Sequence, residues 1–119
     1  MSAKIQHESL ERVFHSSARM AIVSALCAAD KSGVTFSELR ETCALTDGNL
    51  NGHLAALTEG EIVKVKREIV GKKPRSTITI TKTGVGRFSS YLDALQDALK
   101  AARAAMPAAA RKAARPSRA

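Results

Sequence analysis

The chain has 119 residues and a formal net charge of +8 at pH 7. This length predicts one small domain, too small for a deep active-site cleft between two domains. Apolar residues make up 45% of the chain, but aromatic residues are only 3% and tryptophan is absent, so the core must consist mostly of small and aliphatic side chains. A core of that composition favours close-packed helices.

The sequence predicts a cytoplasmic protein. No apolar run approaches the roughly 18 residues that a membrane span needs. The stretch up to Arg19 contains Glu8 and Glu11 and lacks the continuous apolar core of a secretory signal. The isolated Cys27 and Cys43 fit a reducing compartment, and we expect both to be small buried side chains.

The positive charge is concentrated in two segments. Residues 64–75 carry six basic side chains against one acid, a net +5, and the last nineteen residues carry another +5. The rest of the chain sums to −2. Such concentration is typical of a surface that binds nucleic-acid phosphates, although a basic block can also be merely solvated.

The first predicted elements precede the charged segment. Residues 1–15 are predicted to be an arm or a short helix, and Leu10 and Phe14 in this stretch are expected to contact a partner subunit. A firmer helix begins near Ser16 or Ser17 and runs to about Ala29.

A helix-turn-helix pattern follows. Ser37 is the predicted N-cap of a short helix that ends near Cys43, and residues 44–46 form the break. Thr46 or Asp47 can cap the second helix (about 47–59), in which Leu50, Leu54 and Leu57 make one buried stripe. Gly60 is predicted to end this helix as a left-handed glycine.

A basic hairpin comes next. Residues 62–65 begin a strand that Ile69 and Val70 can continue, residues 71–74 are a turn or loop, and residues 76–81 alternate hydroxyl and isoleucine side chains as a half-buried strand does.

The last predicted helix covers about 82–104. Its apolar stripe is wider than so small a domain is expected to cover, which favours a homodimer, while folding back onto its own domain is the alternative. The predicted dimer contacts on this helix are Phe88, Leu92, Leu95 and Leu99. Residues 105–119 are a basic Ala/Arg tail of low complexity, predicted to be disordered.

These elements predict an α+β, mainly α fold: a winged helix-turn-helix with a two- or three-stranded antiparallel wing sheet and a long C-terminal helix, within a domain of residues 16–104. The stretches TDGNLNGHL (46–54), GKKPRST (71–77) and TKTG (81–84) resemble the winged-helix regulators of the MarR/ArsR-like superfamily. The resemblance covers roughly residues 16–95. It implies a dimeric, cytoplasmic transcription factor that binds double-stranded DNA, with a repressor as the expected type.

The predicted DNA contacts divide between the wing and the second helix. Wing cations would neutralise phosphates and make affinity salt-dependent, with Arg75 the strongest candidate because the resemblance places a Pro-Arg pair at the wing tip. The wing set is Lys64, Lys66, Arg67, Lys72, Lys73, Arg75 and Thr77.

On the helical wheel, Gly48, Gly52 and Ala55 point outward, flanked by Asn49 and Asn51, which can offer paired donor and acceptor groups to adenine. Capping of the helix by the two asparagines is the alternative. Ser37, Thr46 and Asp47 complete the predicted contact set.

This helix departs from many relatives, which carry Arg or Lys where Asn51-Gly52 stands. Guanine readout is therefore expected to be weak, and DNA shape to matter more. His53 is expected to be a packed, hydrogen-bonded side chain and not a DNA contact.

Other functional classes find little support in the sequence. No catalytic residues, cofactor or metal site are predicted, because no Cys-His or Ser-His pair lies in a known motif and no CxC or CxxC occurs. The alternative function is a winged-helix module for protein interaction or for non-specific nucleic-acid binding. The sequence does not indicate whether the protein has an effector ligand.

Overall fold

The computed structural model describes residues 11–108. This part of the chain contains four helices and three strands. Their bounds are α1 (Ser17–Ala28), β1 (Val34–Thr35), α2 (Phe36–Thr42), α3 (Asp47–Glu59), β2 (Val63–Val70), β3 (Lys73–Ile80) and α4 (Lys82–Ala105). The predicted fold class, a mainly α winged helix-turn-helix with a long final helix, is confirmed.

Hydroxyl side chains cap all four of these helices at the N-terminus. Ser16, Thr46 and Thr81 each accept a hydrogen bond from the backbone N–H three residues on, which satisfies a group that would otherwise have no partner. The prediction of Ser37 as the cap of α2 was wrong. Thr35 caps this helix in a reciprocal capping box with Glu38, and Ser37 lies exposed in the first turn.

The end of α3 also differs from the prediction. Gly60 has φ −78° and is not left-handed, whereas the next residue, Glu61, has φ +61°. Glu61 can take this conformation because its side chain is exposed and the turn is closed by a hydrogen bond from its N–H to the carbonyl of Thr58. The chain then turns directly into Ile62, whose side chain is fully buried.

The sheet is antiparallel, with the strand order β1-β3-β2. The two-residue β1, which the sequence pattern did not mark as a strand, pairs Val34 with Ile78. The hairpin turn is tighter than the predicted 71–74: only Gly71 and Lys72 lie in the loop, both with positive φ, as a two-residue hairpin turn requires. Lys73 and Pro74 belong to β3.

Within residues 11–108 the core contains thirteen buried side chains, which come from all four helices, from the sheet, and from the segments before α1 and before β2. An aromatic group closes it on the α4 side, where Phe14 lies 5.3 Å from both Phe88 and Tyr91 between ring centroids. Phe14 is fully buried and Phe88 is 5% exposed, so their assignment as dimer contacts was wrong. They cover the start of α4 from within the same chain.

The outer half of α4 behaves differently. Leu95 packs partly against the core, but Leu92 and Leu99 are 40% and 56% exposed. The alternative raised from the sequence was that this helix folds back onto its own domain. That alternative therefore holds for the N-terminal half of the helix. Leu10 and residues 109–119 of the basic tail lie outside the described residues.

The two cysteines are less buried than expected. Cys27 is exposed and Cys43, the residue that caps the C-terminus of α2, is half-buried, so neither is the fully buried side chain that was predicted.

All four described helices contribute buried side chains to one core. Among the described residues, no helix is both long and apolar enough to cross a membrane.

Candidate nucleic-acid interface

The outward face of α3 is small, neutral and open. Gly48, Asn49, Asn51, Gly52 and Ala55 are all exposed, as the helical wheel predicted. A Cβ atom added at Gly48 or Gly52 would meet nothing within 4 Å. The backbone of this face can therefore approach another molecule closely.

The asparagines of this face do not cap the helix. The cap is Thr46, whose Oγ1 accepts a hydrogen bond of 3.1 Å from the backbone N–H of Asn49. The side chains of Asn49 and Asn51 thus extend into solvent, and the capping alternative was wrong. Thr46 itself is engaged in the cap, which limits what its hydroxyl can offer to a ligand.

Asp47, at the first turn of α3, is paired with a residue of α2. Arg40 Nη1 lies 2.7 Å from Asp47 Oδ1, and this hydrogen bond raises the pKa of the Arg40 guanidinium. The pair offsets the charge of the carboxylate, which would otherwise repel a phosphate, although the Asp47 side chain stays exposed. Arg40 was not predicted for the site, because its partner is seven residues away across the helix-turn-helix break.

His53 anchors the inner side of α3 to α1. Arg19 Nε donates a hydrogen bond of 3.1 Å to His53 Nδ1, while Arg19 Nη1 donates to the carbonyl of Val13. The predicted packed, hydrogen-bonded histidine is confirmed. Its partner Arg19 could not be identified from the sequence, since 34 residues separate the two.

The wing carries its charges on two faces. Because side chains alternate along a strand, Arg67 lies on the face that continues from buried Val63 and half-buried Val65, whereas Lys64 and Lys66 lie on the opposite face. Directly paired residues of neighbouring strands share a face of the sheet. The face of Lys64 and Lys66 therefore also carries Thr77, the pair Glu68↔Arg75 and the pair Val70↔Lys73. Most of the wing's cations therefore face away from the side that meets α3.

Glu68 offsets part of this charge. Its two carboxylate oxygens lie 3.4 Å from Arg75 Nη2 and 3.9 Å from Lys66 Nζ. All three side chains are at least one-third exposed, so the pairs are weak and open to exchange with an incoming phosphate. Lys72 stands at the turn, and Lys73 and Lys64 are exposed.

A groove of about 430 Å³ joins α3 to the wing. Asn51 and Ala55 line it from α3, and Arg67 and Ser76 line it from the hairpin. The structure thus brings together one wing cation and the small face of the second helix. The other predicted wing cations lie on the opposite face or at the tip.

Ser37 and Thr77 lie at the margins of this surface. Ser37 shares a shallow pocket with Pro74 and Arg75. Thr77 is half-buried, and its methyl group would lie 3.1 Å from a Cβ placed on Gly33, which has φ +85°. Thr77 therefore has a packing role, and its hydroxyl is less available than the sequence suggested.

The described residues contain no group of three or more His, Cys, Asp or Glu side chains that could hold a metal ion. Partial desolvation raises the pKa of the thiols of Cys27 and Cys43, which lowers the fraction present as the nucleophilic thiolate.

Comparisons with known proteins agree with this geometry. Residues 18–99 match the family described as the winged helix DNA-binding domain. An uncharacterized protein of Methanocaldococcus jannaschii is 32% identical over 81 residues, which cover 68% of this chain and 86% of that protein.

Solved structures share the fold. A transcriptional regulator homologue from Pyrococcus horikoshii superposes with a TM-score of 0.62 at 24% identity, over 78% of this chain and 95% of that one. MepR of Staphylococcus aureus, in complex with DNA, superposes with a TM-score of 0.59 at 15% identity, over 76% of this chain and 72% of that one. BpsR of Bordetella bronchiseptica, whose DNA binding is regulated by 6-hydroxynicotinic acid, superposes with a TM-score of 0.60 at 14% identity. The match covers 92% of this chain and 80% of that one.

These neighbours are similar in fold alone, since their identities are below a quarter, but the family match spans well over half of the chain. The family is described as a DNA-binding domain, and the neighbour from Pyrococcus horikoshii is named a transcriptional regulator homologue. The chain therefore belongs to the winged helix DNA-binding domain family.

Proposed function

We propose that this protein is a sequence-specific transcriptional regulator that binds duplex DNA as a homodimer and acts as a repressor. The observation that carries the proposal is the groove in which the open face of α3 and Arg67 of the wing line one surface. MepR, which has the same fold, is known in complex with DNA.

In this proposal α3 lies in the major groove. Its glycines let the backbone approach the base edges, and Asn51, with Asn49 beside it, offers the donor and acceptor pair that matches adenine. The outward face of α3 carries no cation, so base readout is limited and the wing supplies most of the affinity through phosphates.

The dimer is supported by the outer half of α4. Leu92 and Leu99 are seven residues apart and therefore lie on one side of the helix, and both are exposed. A second copy of α4 would cover them. Two winged helices related by a two-fold axis would then read two half-sites, and a bound dimer would exclude the transcription machinery from the DNA it occupies.

A non-specific, architectural role is the second candidate. It is favoured by one observation, that the wing is strongly basic while the outward face of the reading helix carries no cation. Both candidates predict DNA binding, but only the first predicts convergence on a sequence.

Selection of bound duplexes from a random library at physiological salt separates the two. We expect a converged palindrome whose half-sites contain adenine at the positions read by Asn51, and Asn51→Ala should change the selected bases more than the affinity for unrelated duplexes. Ser90→Ala, at an exposed position of α4 that does not line the groove, is the control. Absence of enrichment would reject the regulator in favour of an architectural role.

A further inference from the structure

The wing ends in exposed apolar side chains that the fold does not use. Ile69 is 72% exposed and is paired across the hairpin with Pro74, which is also exposed. The last pair of the hairpin that reaches the core is Val65↔Ile78. Ile69 therefore does not stabilise the hydrophobic core, and with Pro74 it forms an exposed apolar pair near the end of the wing.

Ile69 and Pro74 lie on the same face of the hairpin as the groove beside α3. Alternation along β2 puts Val65, Arg67 and Ile69 on one side, and the register puts Pro74 beside Ile69 on that side. Arg67 lines the groove. The apolar pair is thus the far end of the surface on which α3 presents its open face.

The charge around the pair indicates what covers it. Between Lys64 and Arg75 the sequence contains six basic residues and one acid, and that acid, Glu68, is already paired with Lys66 and Arg75. A tip of such charge repels a second copy of itself and attracts a polyanion. The complementary occupant is nucleic acid.

The shape of the tip selects one part of a duplex. Five residue pairs extend beyond Val65↔Ile78, which at about 3.3 Å per residue makes a projection of about 16 Å, longer than the minor groove is deep. The walls of that groove are apolar deoxyribose rings and its rims are phosphates. An apolar ridge flanked by cations matches this arrangement.

We propose that Ile69 and Pro74 form an apolar wedge that enters the minor groove next to the segment read by α3 and bends the duplex there. This inference rests on the proposed function, since it requires that the protein bind duplex DNA. The wedge favours sequences that deform easily, so it selects bases that no side chain reads in the major groove.

The test replaces the wedge residue and leaves the charge intact. Ile69→Thr keeps a β-branched side chain but removes apolar surface, and Val70→Thr makes the same kind of change on the opposite face of the same strand. Affinity and end-to-end distance, by energy transfer between dyes at the two ends, are measured on the duplex selected by the wild type. Ile69→Thr should weaken affinity about fivefold and straighten the duplex, with an unchanged salt dependence, whereas Val70→Thr should match the wild type.

A modified duplex identifies the groove. Placing 2,6-diaminopurine for adenine in the flanking pairs adds an amino group to the minor groove and leaves the major-groove edge unaltered. The wild type should bind this duplex more weakly, and Ile69→Thr should be affected much less. Equal sensitivity of both proteins, or an unaltered bend in Ile69→Thr, would overturn the wedge while leaving the proposed function in place. A wild type that binds no duplex would overturn both.

Discussion

Arg87 of α4 donates a hydrogen bond of 2.6 Å to the backbone carbonyl of Gly60, the residue at which α3 ends. The same guanidinium pairs with Glu11, whose carboxylate lies 2.5 Å from Arg87 Nη2, and this hydrogen bond raises the pKa of Arg87. One side chain thus joins the helix proposed for dimerisation, the segment before α1 and the helix proposed for DNA reading. The orientation of α3 is thereby coupled to α4.

Replacing Arg87 tests this coupling. Arg87→Met keeps most of the aliphatic stem but removes both polar interactions, and we expect the free energy of unfolding to fall by about 1 kcal/mol, less than is usual for charged hydrogen bonds because the side chain is one-third exposed. Lys100→Met, at an exposed position on the same helix, is the control. Urea denaturation of both variants measures the effect, and equal stabilities would show that the Arg87 hydrogen bonds contribute nothing.

Two glycines of α4 should respond in opposite directions to the same substitution. At Gly84 a Cβ would collide with the carbonyl oxygen of Ile62, so Gly84→Ala should destabilise the fold by about 1–3 kcal/mol. At Gly86 the space is open, and Gly86→Ala should stabilise by about 0.5–1 kcal/mol through helix propensity. Thermal unfolding measures both. A stabilising Gly84→Ala would mean that α4 does not pack this closely against Ile62.

The wing should act as an electrostatic clamp. The double variant Lys73→Ala/Arg75→Ala should weaken binding to all duplexes, and the slope of log affinity against log salt should flatten by about 0.9 for each phosphate that the wing no longer neutralises. Lys100→Ala removes a charge from α4 and should leave the slope unchanged. If the wing variant keeps the wild-type slope, the clamp is located elsewhere.

The capping box of α2 should make stability depend on pH in the acid range. Hydrogen bonds from the Thr35 hydroxyl and N–H lower the pKa of Glu38 below its ordinary value of 4.5. A carboxylate whose pKa is lower in the folded state stabilises the fold above its unfolded pKa, and this contribution disappears as the pH falls through the folded pKa. The stability difference between wild type and Glu38→Gln should therefore be constant near neutral pH and change below about pH 4.5.

The control for this titration is the Thr35→Ala background. Without the threonine hydroxyl, the effect of Glu38→Gln on stability should vary less across the acid range. Chemical denaturation at closely spaced pH values provides the measurement. An undiminished variation in that background would show that another group shifts the titration of Glu38.

The exposed leucines of α4 should control the oligomeric state. Leu92→Glu/Leu99→Glu puts two carboxylates on the proposed dimer face and should give a monomer in sedimentation experiments, with weaker binding to a palindromic duplex. Ser90→Glu, at an exposed position of the same helix, should leave the assembly intact. A wild type that sediments as a monomer would reject the dimer directly.

The sequence was sufficient for features that depend on local periodicity and local chemistry. The stripe Leu50, Leu54, Leu57 identified the inner face of α3, and the alternation around Ile78 and Ile80 identified β3. Errors arose where two local solutions compete, as between Ser37 and Thr35 for the cap of α2.

Long-range contacts were the second source of error. Phe14 and Phe88 give the same apolar pattern in the sequence whether they contact a partner subunit or pack against each other. The pattern therefore could not show that they pack together. Nor could spacing reveal that Arg87 reaches Glu11, or which wing cations share a face with α3.

The open face of α3 and the wing are together the proposed surface for DNA. Backbone amide chemical shifts of the full chain, followed by NMR during titration with the selected duplex, test this assignment residue by residue. We predict that the largest changes fall on residues 46–55 and 66–76, with smaller changes on α1. Changes confined to α1 and α4, with those two segments unperturbed, would contradict it.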